Sequence, residues 1–241
     1  MTASQLVATD RTRIKICGLT RESDVDAAVA AGVDAIGFML YPASPRHVDI
    51  ERAAVLARRL PAFVTPVLVL VNAEAGFIDA CCARIGNALL QFHGDESPGQ
   101  CHALSSAGRR PYLRAARIPV GEAGREFDLV KYAHDFREAQ AILLDAKVDG
   151  YGGGGQAFNW SLLPPSVNSH LVLGGGLTPA NVTDGILQLR PRCLTLAVDV
   201  SSGVEMSKGI KDPDKINRFV AAVRAADAQL ARIPHGALPA A

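Results

Sequence analysis

Short apolar runs rich in β-branched residues recur along the chain, and longer amphipathic segments separate them. Such an alternation is typical of repeated strand–helix units. Eight strands are predicted on this basis, at residues 13–17, 35–39, 65–71, 88–92, 112–116, 141–145, 170–173 and 194–199.

Helices are predicted between these strands, beginning near Glu22, Ile50, Glu74, Pro98, Glu122, Asn159, Pro179 and Pro213. Thr178 and Asp212 each precede a proline, which is the order of an N-cap residue followed by proline at the first helical position. Eight such units favour a closed (β/α)8 barrel, the TIM barrel, in a single domain that covers residues 13–230. A doubly wound open sheet shows the same alternation and is the alternative that periodicity alone does not exclude.

The length and composition agree with one barrel domain. The chain has 241 residues, of which 49% are hydrophobic and only 5% aromatic, so we expect a core of Val, Ile, Leu and Ala. Residues 1–12 precede the first strand and residues 231–241 form a tail after the last helix. We expect both ends to be disordered.

The charge balance and the cysteines limit the partners and the compartment. A formal net charge of +1 without a basic run argues against a nucleic-acid partner, and no stretch reaches the roughly 18 apolar residues of a membrane span. The five cysteines lack CxxC spacing, which argues against a disulfide framework or a zinc site. We therefore expect a cytoplasmic protein that binds a small ligand.

Two strand ends carry side chains suited to proton transfer. In a barrel, the loops after the strands meet at one mouth, where active sites form. Cys17 lies at the end of the first predicted strand and Asp145 at the end of the sixth. A thiol with a pKa of about 8.5 and a carboxyl with a pKa of about 3.9 can act as base and acid if their surroundings shift both values toward neutrality. A packing role for Cys17 and a loop-capping role for Asp145 are the alternatives.

Two glycine- and serine-rich loops suggest a phosphate site. Gly175 and Gly176 follow the seventh strand, and Ser201, Ser202 and Gly203 follow the eighth. Loops at these positions of a barrel often bind phosphate through backbone N–H groups. Alternatively, the glycines serve only a tight turn and the serines only cap a helix.

Seven stretches at or near the predicted strand ends resemble the phosphoribosylanthranilate isomerase family of tryptophan biosynthesis, and the resemblance runs over residues 13–223. The stretches lie at residues 14–20, 44–48, 91–96, 143–145, 152–160, 174–177 and 199–205.

The resemblance implies a (β/α)8 barrel that converts N-(5-phosphoribosyl)anthranilate to 1-(2-carboxyphenylamino)-1-deoxyribulose 5-phosphate by an Amadori rearrangement. It implies a small phosphosugar substrate, no cofactor and no metal. Asp145 matches the family's general acid and Cys17 its general base. Arg46 matches a position near the anthranilate, where its guanidinium can pair with the carboxylate, and His93 matches a supporting position. The sequence leaves open a monomer or a homodimer.

Three other functions were compared with this one. Another phosphosugar barrel enzyme would share the phosphate site, although the related histidine-pathway isomerase would carry aspartate in place of Cys17. A Schiff-base aldolase needs a lysine at a strand end, whereas Lys15 lies two residues before one and Lys147 lies beyond one. A noncatalytic phosphate-binding barrel would not need both Cys17 and Asp145.

Overall fold

Eight parallel strands pair in sequence order and close into a barrel. The computed structural model describes residues 11–106, 108–147 and 159–232. The strands are β1 (Arg13–Cys17), β2 (Ala35–Met39), β3 (Thr65–Leu70), β4 (Leu89–Phe92), β5 (Tyr112–Pro119), β6 (Ala141–Lys147), β7 (Val167–Leu173) and β8 (Cys193–Val200).

The pairing of β1 with β8, in which Ile14 lies opposite Val198, closes the sheet. The predicted barrel is therefore confirmed, and the open sheet is excluded. The predicted strands agree with the observed ones to within three residues at every end, and the largest differences are the start of β7 and the end of β5.

The α-helices lie on the outside of the barrel, between successive strands. They are α1 (Glu22–Ala30), α2 (Ile50–Ala57), α3 (Ala75–Arg84), α4 (Pro98–Leu104), α5 (Leu129–Asp135), α6 (Val182–Leu189) and α7 (Pro213–Leu230). A short antiparallel hairpin of β9 (Glu205–Ser207) and β10 (Ile210–Lys211) lies between β8 and α7.

Three predicted helix starts are wrong. Near residue 122 a 3-10 helix, Gly121–Glu126, comes first and α5 begins only at Leu129. In the described residues after β6, the segment near Asn159 is a single 3-10 turn, Trp160–Leu162. The helix predicted near Pro179 begins only at Val182, because residues 179–181 form a turn, in which the Thr178 hydroxyl accepts from the backbone N–H of Ala180. The other predicted cap is confirmed, since the Asp212 carboxylate accepts from the first backbone N–H groups of α7.

Alternate residues of each strand point into the barrel and form layers. Toward the amino ends of the strands the layer is apolar and includes Leu113, Ala115, Leu143 and Val172. Toward the carboxyl ends, the inward positions carry polar side chains. Because the side-chain period of a strand is two, these polar groups share one face with the apolar layer and lie above it, at the mouth.

The first described residues are tied to the last helix. The backbone N–H of Thr12, which the sequence assigns to the N-terminal extension, donates to Asp227 on α7 at 2.9 Å. Residues 1–10 and 233–241, where disorder is expected, lie outside the described residues, so that expectation stays a prediction. None of the helices in the described part of the chain is long and apolar enough to cross a membrane.

Candidate active site

Cys17 shares the inner face of β1 with Lys15, and both side chains are buried. Their neighbour on β2 is Gly37, which lies opposite Cys17 in the strand register. A Cβ atom at Gly37 would lie 2.7 Å from the Cys17 Sγ and 3.0 Å from the Lys15 Nζ. The missing side chain of Gly37 therefore provides the space that the thiol and the ammonium occupy.

Lys15 forms an ion pair with Asp199, the residue opposite it on β8. The Nζ atom lies 2.9 Å from the Asp199 Oδ1 atom, and both side chains are almost fully buried. Burial lowers the pKa of Lys15, but Asp199 and Cys17 outweigh burial and raise that pKa above its usual value. Asp199 thus favours the charged ammonium form of Lys15 beside the thiol.

Burial raises the pKa of the Cys17 thiol above its usual value of 9.0. Lys15 and, more weakly, Lys211 oppose the effect of burial, and Asp199 adds to it. The free protein thus holds Cys17 mainly as a thiol, next to a cation that favours its ionisation.

Asp145 lies on the inner face of β6 and contacts His93, which follows β4. The Nε2 atom of His93 is 2.9 Å from the Asp145 Oδ2 atom, which is a hydrogen-bond distance. The Nδ1 atom of the same ring is 2.9 Å from the Gln91 Nε2 atom. All three side chains are buried, so the hydrogen bonds fix the orientation of the carboxyl.

Close packing against Asp145 requires a glycine at position 175. Gly175 has a positive φ of 68°, and a Cβ atom there would lie 3.0 Å from the Asp145 Oδ1 atom and 2.6 Å from the backbone nitrogen of Ala146. A side chain at Gly175 would therefore displace the carboxyl as well as strain the backbone.

A buried ion pair outside the barrel holds the loop that carries His93. Arg114 on β5 donates to the backbone oxygens of Phe92 and Gly94 and to the Glu96 carboxylate. Glu96 in turn accepts from the backbone N–H of Gly94 at 2.9 Å. These bonds fix the loop after β4 and hence the position of the His93 ring.

Arg46 lies in the loop after β2 and is held by Glu205 of β9. Its Nε and Nη2 atoms donate to the two Glu205 carboxylate oxygens at 2.7 and 2.8 Å. Arg46, which the family resemblance places near the substrate carboxylate, thus pairs with Glu205 in the folded chain, because a buried guanidinium needs an anionic partner.

Lys211 completes this second cluster and connects it to the loop after β8. Its Nζ atom donates to Glu205 at 2.8 Å and to the backbone oxygen of Ser201 at 3.1 Å. The Ser201 hydroxyl donates to the backbone oxygen of Cys17 at 3.0 Å. The cluster thus fixes the loop after β8 against the end of β1.

The predicted phosphate residues lie side by side at the mouth. Gly175 and Gly176 both have positive φ, 68° and 71°, and follow β7. Ser202 and Gly203 begin a 3-10 turn, Ser202–Val204, whose first N–H groups have no acceptor within the turn. A Cβ atom at Gly203 would lie 1.9 Å from the backbone oxygen of Leu177, so the two loops touch.

The structure groups the predicted residues into two sets. Cys17 lies near Arg46, Ser201 and Asp199, whereas Asp145 lies with His93 and Gly175. Most of the stretch at residues 152–160 that resembles the family lies outside the described residues. Within the described residues, no group of three or more His, Cys, Asp or Glu side chains is arranged to hold a metal ion.

Several side chains in these contacts carry no role predicted from the sequence, among them Lys15, Gln91, Glu205 and Lys211. For two of them a signal existed, because a period of two puts Lys15 on the face of Cys17 and Gln91 on the face of His93. Glu205 and Lys211 had no local signal, since their partners are distant in sequence.

A closed barrel with buried polar groups at the carboxyl ends of its strands places the chain in the class of (β/α)8-barrel enzymes. Residues 14–222 match the family model of N-(5′-phosphoribosyl)anthranilate (PRA) isomerase. The chain belongs to the phosphoribosylanthranilate isomerase family, and it is an isomerase of tryptophan biosynthesis.

Relatives and solved structures agree with this assignment. The N-(5′-phosphoribosyl)anthranilate isomerase of Methylibium petroleiphilum is 61% identical over 92% of this chain and 98% of its own. A Thermotoga maritima phosphoribosylanthranilate isomerase structure is 37% identical over 89% of this chain and 99% of that chain, with a TM-score of 0.77.

Two further related structures give information on oligomeric state and on a bound ligand. One, with 34% identity, a TM-score of 0.73 and coverage of 89% of this chain and 99% of that chain, contains monomers generated from the dimeric Thermotoga maritima enzyme. The other has 35% identity, a TM-score of 0.73 and the same coverage, and is a complex with reduced 1-(o-carboxyphenylamino)-1-deoxyribulose 5-phosphate.

The cluster of Arg46, Glu205 and Lys211 predicts a pH dependence of stability. Burial alone would raise the pKa of Glu205, but the two cations outweigh burial and hold that pKa below 4.5. The ion pairs therefore stabilise the fold above pH 4.5 and lose their contribution as the pH falls through the lowered pKa. We expect Glu205→Gln to lower the free energy of unfolding by about 3 kcal/mol at pH 7, measured by urea denaturation.

The free energy of unfolding of the wild type should exceed that of Glu205→Gln by about 1 kcal/mol less at pH 4 than at pH 7. Glu122→Gln is the matched control, because Glu122 forms only an exposed ion pair with Arg125. A constant difference at both pH values would contradict an ionised Glu205 as the source of the stability.

Proposed function

We propose that Cys17 is the base and Asp145 the acid of the rearrangement that the family catalyses. The observation that carries this proposal is the order of strands around the barrel. Asp145 is on β6 and Cys17 on β1, and the only strands between them on that side are β7 and β8, which carry the proposed phosphate loops. A substrate held by its phosphate at those loops would lie between the acid and the base.

The chemistry of the two groups fits this order. The Asp145 carboxyl donates its proton to the ring oxygen of the sugar, the C1′–O bond breaks, and the nitrogen lone pair forms a protonated imine. This cation acidifies the C2′ hydrogen, which the Cys17 thiolate removes. The electron pair of that C–H bond forms the C1′=C2′ double bond and neutralises the nitrogen. The enolamine then tautomerises to the ketone.

The phosphate of the substrate is proposed to bind the backbone N–H groups of Gly175, Gly176, Ser202 and Gly203, with Ser201 and its hydrogen bonds holding the loop. The support is the contact between the two loops and the lack of a side chain at both glycines, which permits close approach of a ligand to the backbone. The product analogue in the related complex also carries a 5-phosphate.

Arg46 is proposed to contact the anthranilate carboxylate with guanidinium N–H groups that do not bind Glu205. The ion pair with Glu205 fixes the guanidinium plane, so the remaining donors point in one direction. His93 is proposed to support Asp145 and not to contact the sugar. A cytoplasmic location is also proposed, on the ground that all five cysteines are free.

A homodimer is proposed as the assembly. Phe63 is 99% exposed, has a positive φ of 71° and lies in the loop between α2 and β3, at the amino ends of the strands. At the same end, a cavity of about 240 Å³ is lined largely by apolar side chains, among them Leu89, Leu113 and Val172. A second copy can insert its Phe63 there, in an exchange that a two-fold axis makes reciprocal. A related enzyme is described as dimeric.

The acid and base roles are tested by activity. We expect Cys17→Ala and Asp145→Asn each to lower kcat by about 100- to 10,000-fold, since each removes one partner of proton transfer. The measurement is the loss of anthranilate-type fluorescence from phosphoribosylanthranilate, without added metal or nucleotide.

Cys82→Ala is the control for loss of a thiol, because Cys82 is on α3. Full activity in both Cys17→Ala and Asp145→Asn would overturn the assigned roles. A wild-type protein that binds the substrate without converting it would support a noncatalytic barrel instead.

The dimer is tested by size-exclusion chromatography with light scattering. We expect the wild type to elute as a dimer and Phe63→Ser to raise the dissociation constant at least about 10-fold, because the buried ring is replaced by a small polar group. Phe77→Ser is the control, since Phe77 is a partly exposed aromatic on α3. A monomeric wild type, or a dimer unchanged by Phe63→Ser, would contradict the proposed interface.

A further inference from the structure

Lys15 is a charged side chain in the interior of the barrel, and the proposed reaction does not use it. It lies two residues before Cys17 on the same face of β1 and is only 4% exposed. Burial of an ammonium is unfavourable unless it is paired, and a packed barrel normally fills such positions with apolar side chains. A role beyond filling the interior is therefore expected.

We propose that Lys15 is a positioning residue for the proton transfer, in which its ammonium stabilises the thiolate of Cys17 and Asp199 holds that ammonium in place. This inference rests on the proposed role of Cys17 as the base. Lys15 acts through Cys17 and does not contact the substrate.

The geometry at Gly37 places the two groups within electrostatic range. The Sγ atom of Cys17 and the Nζ atom of Lys15 both lie within 3.0 Å of the point where a Cβ of Gly37 would be. They are therefore within about 6 Å of each other, a distance at which a charge shifts the pKa of its neighbour. The 2.9 Å ion pair with Asp199 keeps the ammonium at that point.

The other charges that face Cys17 are less able to serve this role. Lys211 on β10 and Arg46 after β2 both interact electrostatically with Cys17, but both form ion pairs with Glu205. Asp199 on β8 is the anion near the thiol, and it disfavours the thiolate. Lys15 makes the largest contribution that lowers the pKa of Cys17.

The two members of the ion pair thus act on Cys17 in opposite directions. Loss of Lys15 removes a cation and should raise the pKa of the thiol, whereas loss of the Asp199 charge removes an anion and should lower it. If the ion pair served only the fold, breaking it from either side would have the same effect on Cys17. The sign of the change in the pKa of Cys17 therefore distinguishes an electrostatic role of Lys15 from a purely structural role of the ion pair.

The experiment measures the ionisation of Cys17 directly. Wild type and variants are alkylated with iodoacetamide between pH 6 and pH 10, and the rate at Cys17 is read from its peptide by mass spectrometry. This readout distinguishes Cys17 from the four other cysteines and does not depend on turnover. Failure of Cys17→Ala to lower activity would refute the base assignment, while the alkylation midpoint would still test the effect of Lys15.

We expect Lys15→Met to raise the pH midpoint of alkylation by about 1 to 2 units and Asp199→Asn to lower it. The acidic limb of the pH profile of kcat/KM should move in the same direction in each variant. Lys15→Arg should restore most of the wild-type midpoint, because it retains the charge.

Lys15→Met alone leaves the Asp199 carboxylate without its partner, which can prevent folding. The double variant Lys15→Met with Asp199→Asn removes both charges and avoids this problem. Its midpoint should lie above that of the wild type and below that of Lys15→Met. A midpoint that Lys15→Met leaves unchanged, or shifts of the same sign in Lys15→Met and Asp199→Asn, would overturn the proposal.

Discussion

The requirement that buried charges be paired determines how the mouth of this barrel is built. Strand alternation turns Lys15 and Asp199 into the interior, and the loops bury Arg46, Glu205 and Lys211 beside them. None of these groups is stable in a water-poor interior without an opposite charge. The resulting ion pairs connect β1 to β8 and the loop after β2 to the hairpin after β8. The position of Cys17 therefore depends on electrostatics as well as on the backbone.

The mouth of the barrel contains two polar clusters, one around Cys17 and one around Asp145. Around Cys17, Lys15 and Lys211 oppose the burial that raises the pKa of the thiol, while the Asp145 carboxyl lies within hydrogen-bond distance of the His93 ring. The loops after β7 and β8 lie between the clusters and bear backbone N–H groups. In the proposed binding mode, backbone N–H groups of these loops hold the phosphate, and the reacting carbon atoms lie between Asp145 and Cys17, so binding and chemistry use separate parts of the mouth.

The sequence predicted the barrel and the strand-end residues because both follow from local patterns. Apolar runs define the strands, and Cys17 and Asp145 occupy the strand ends where barrel chemistry is found. The start of α6 was predicted three residues too early, because residues 179–181 form a turn before the helix. The pairing of Arg46 was not predictable, since Glu205 lies 159 residues away and no local pattern connects the two loops.

The most direct test of the account is a structure of this protein with reduced 1-(o-carboxyphenylamino)-1-deoxyribulose 5-phosphate bound. We expect the phosphate oxygens to lie about 3 Å from the backbone nitrogens of Gly176 and Gly203, and the C2′ atom to lie between the Cys17 thiol and the Asp145 carboxyl. A phosphate bound outside the loops after β7 and β8, or a C2′ atom remote from Cys17, would contradict it.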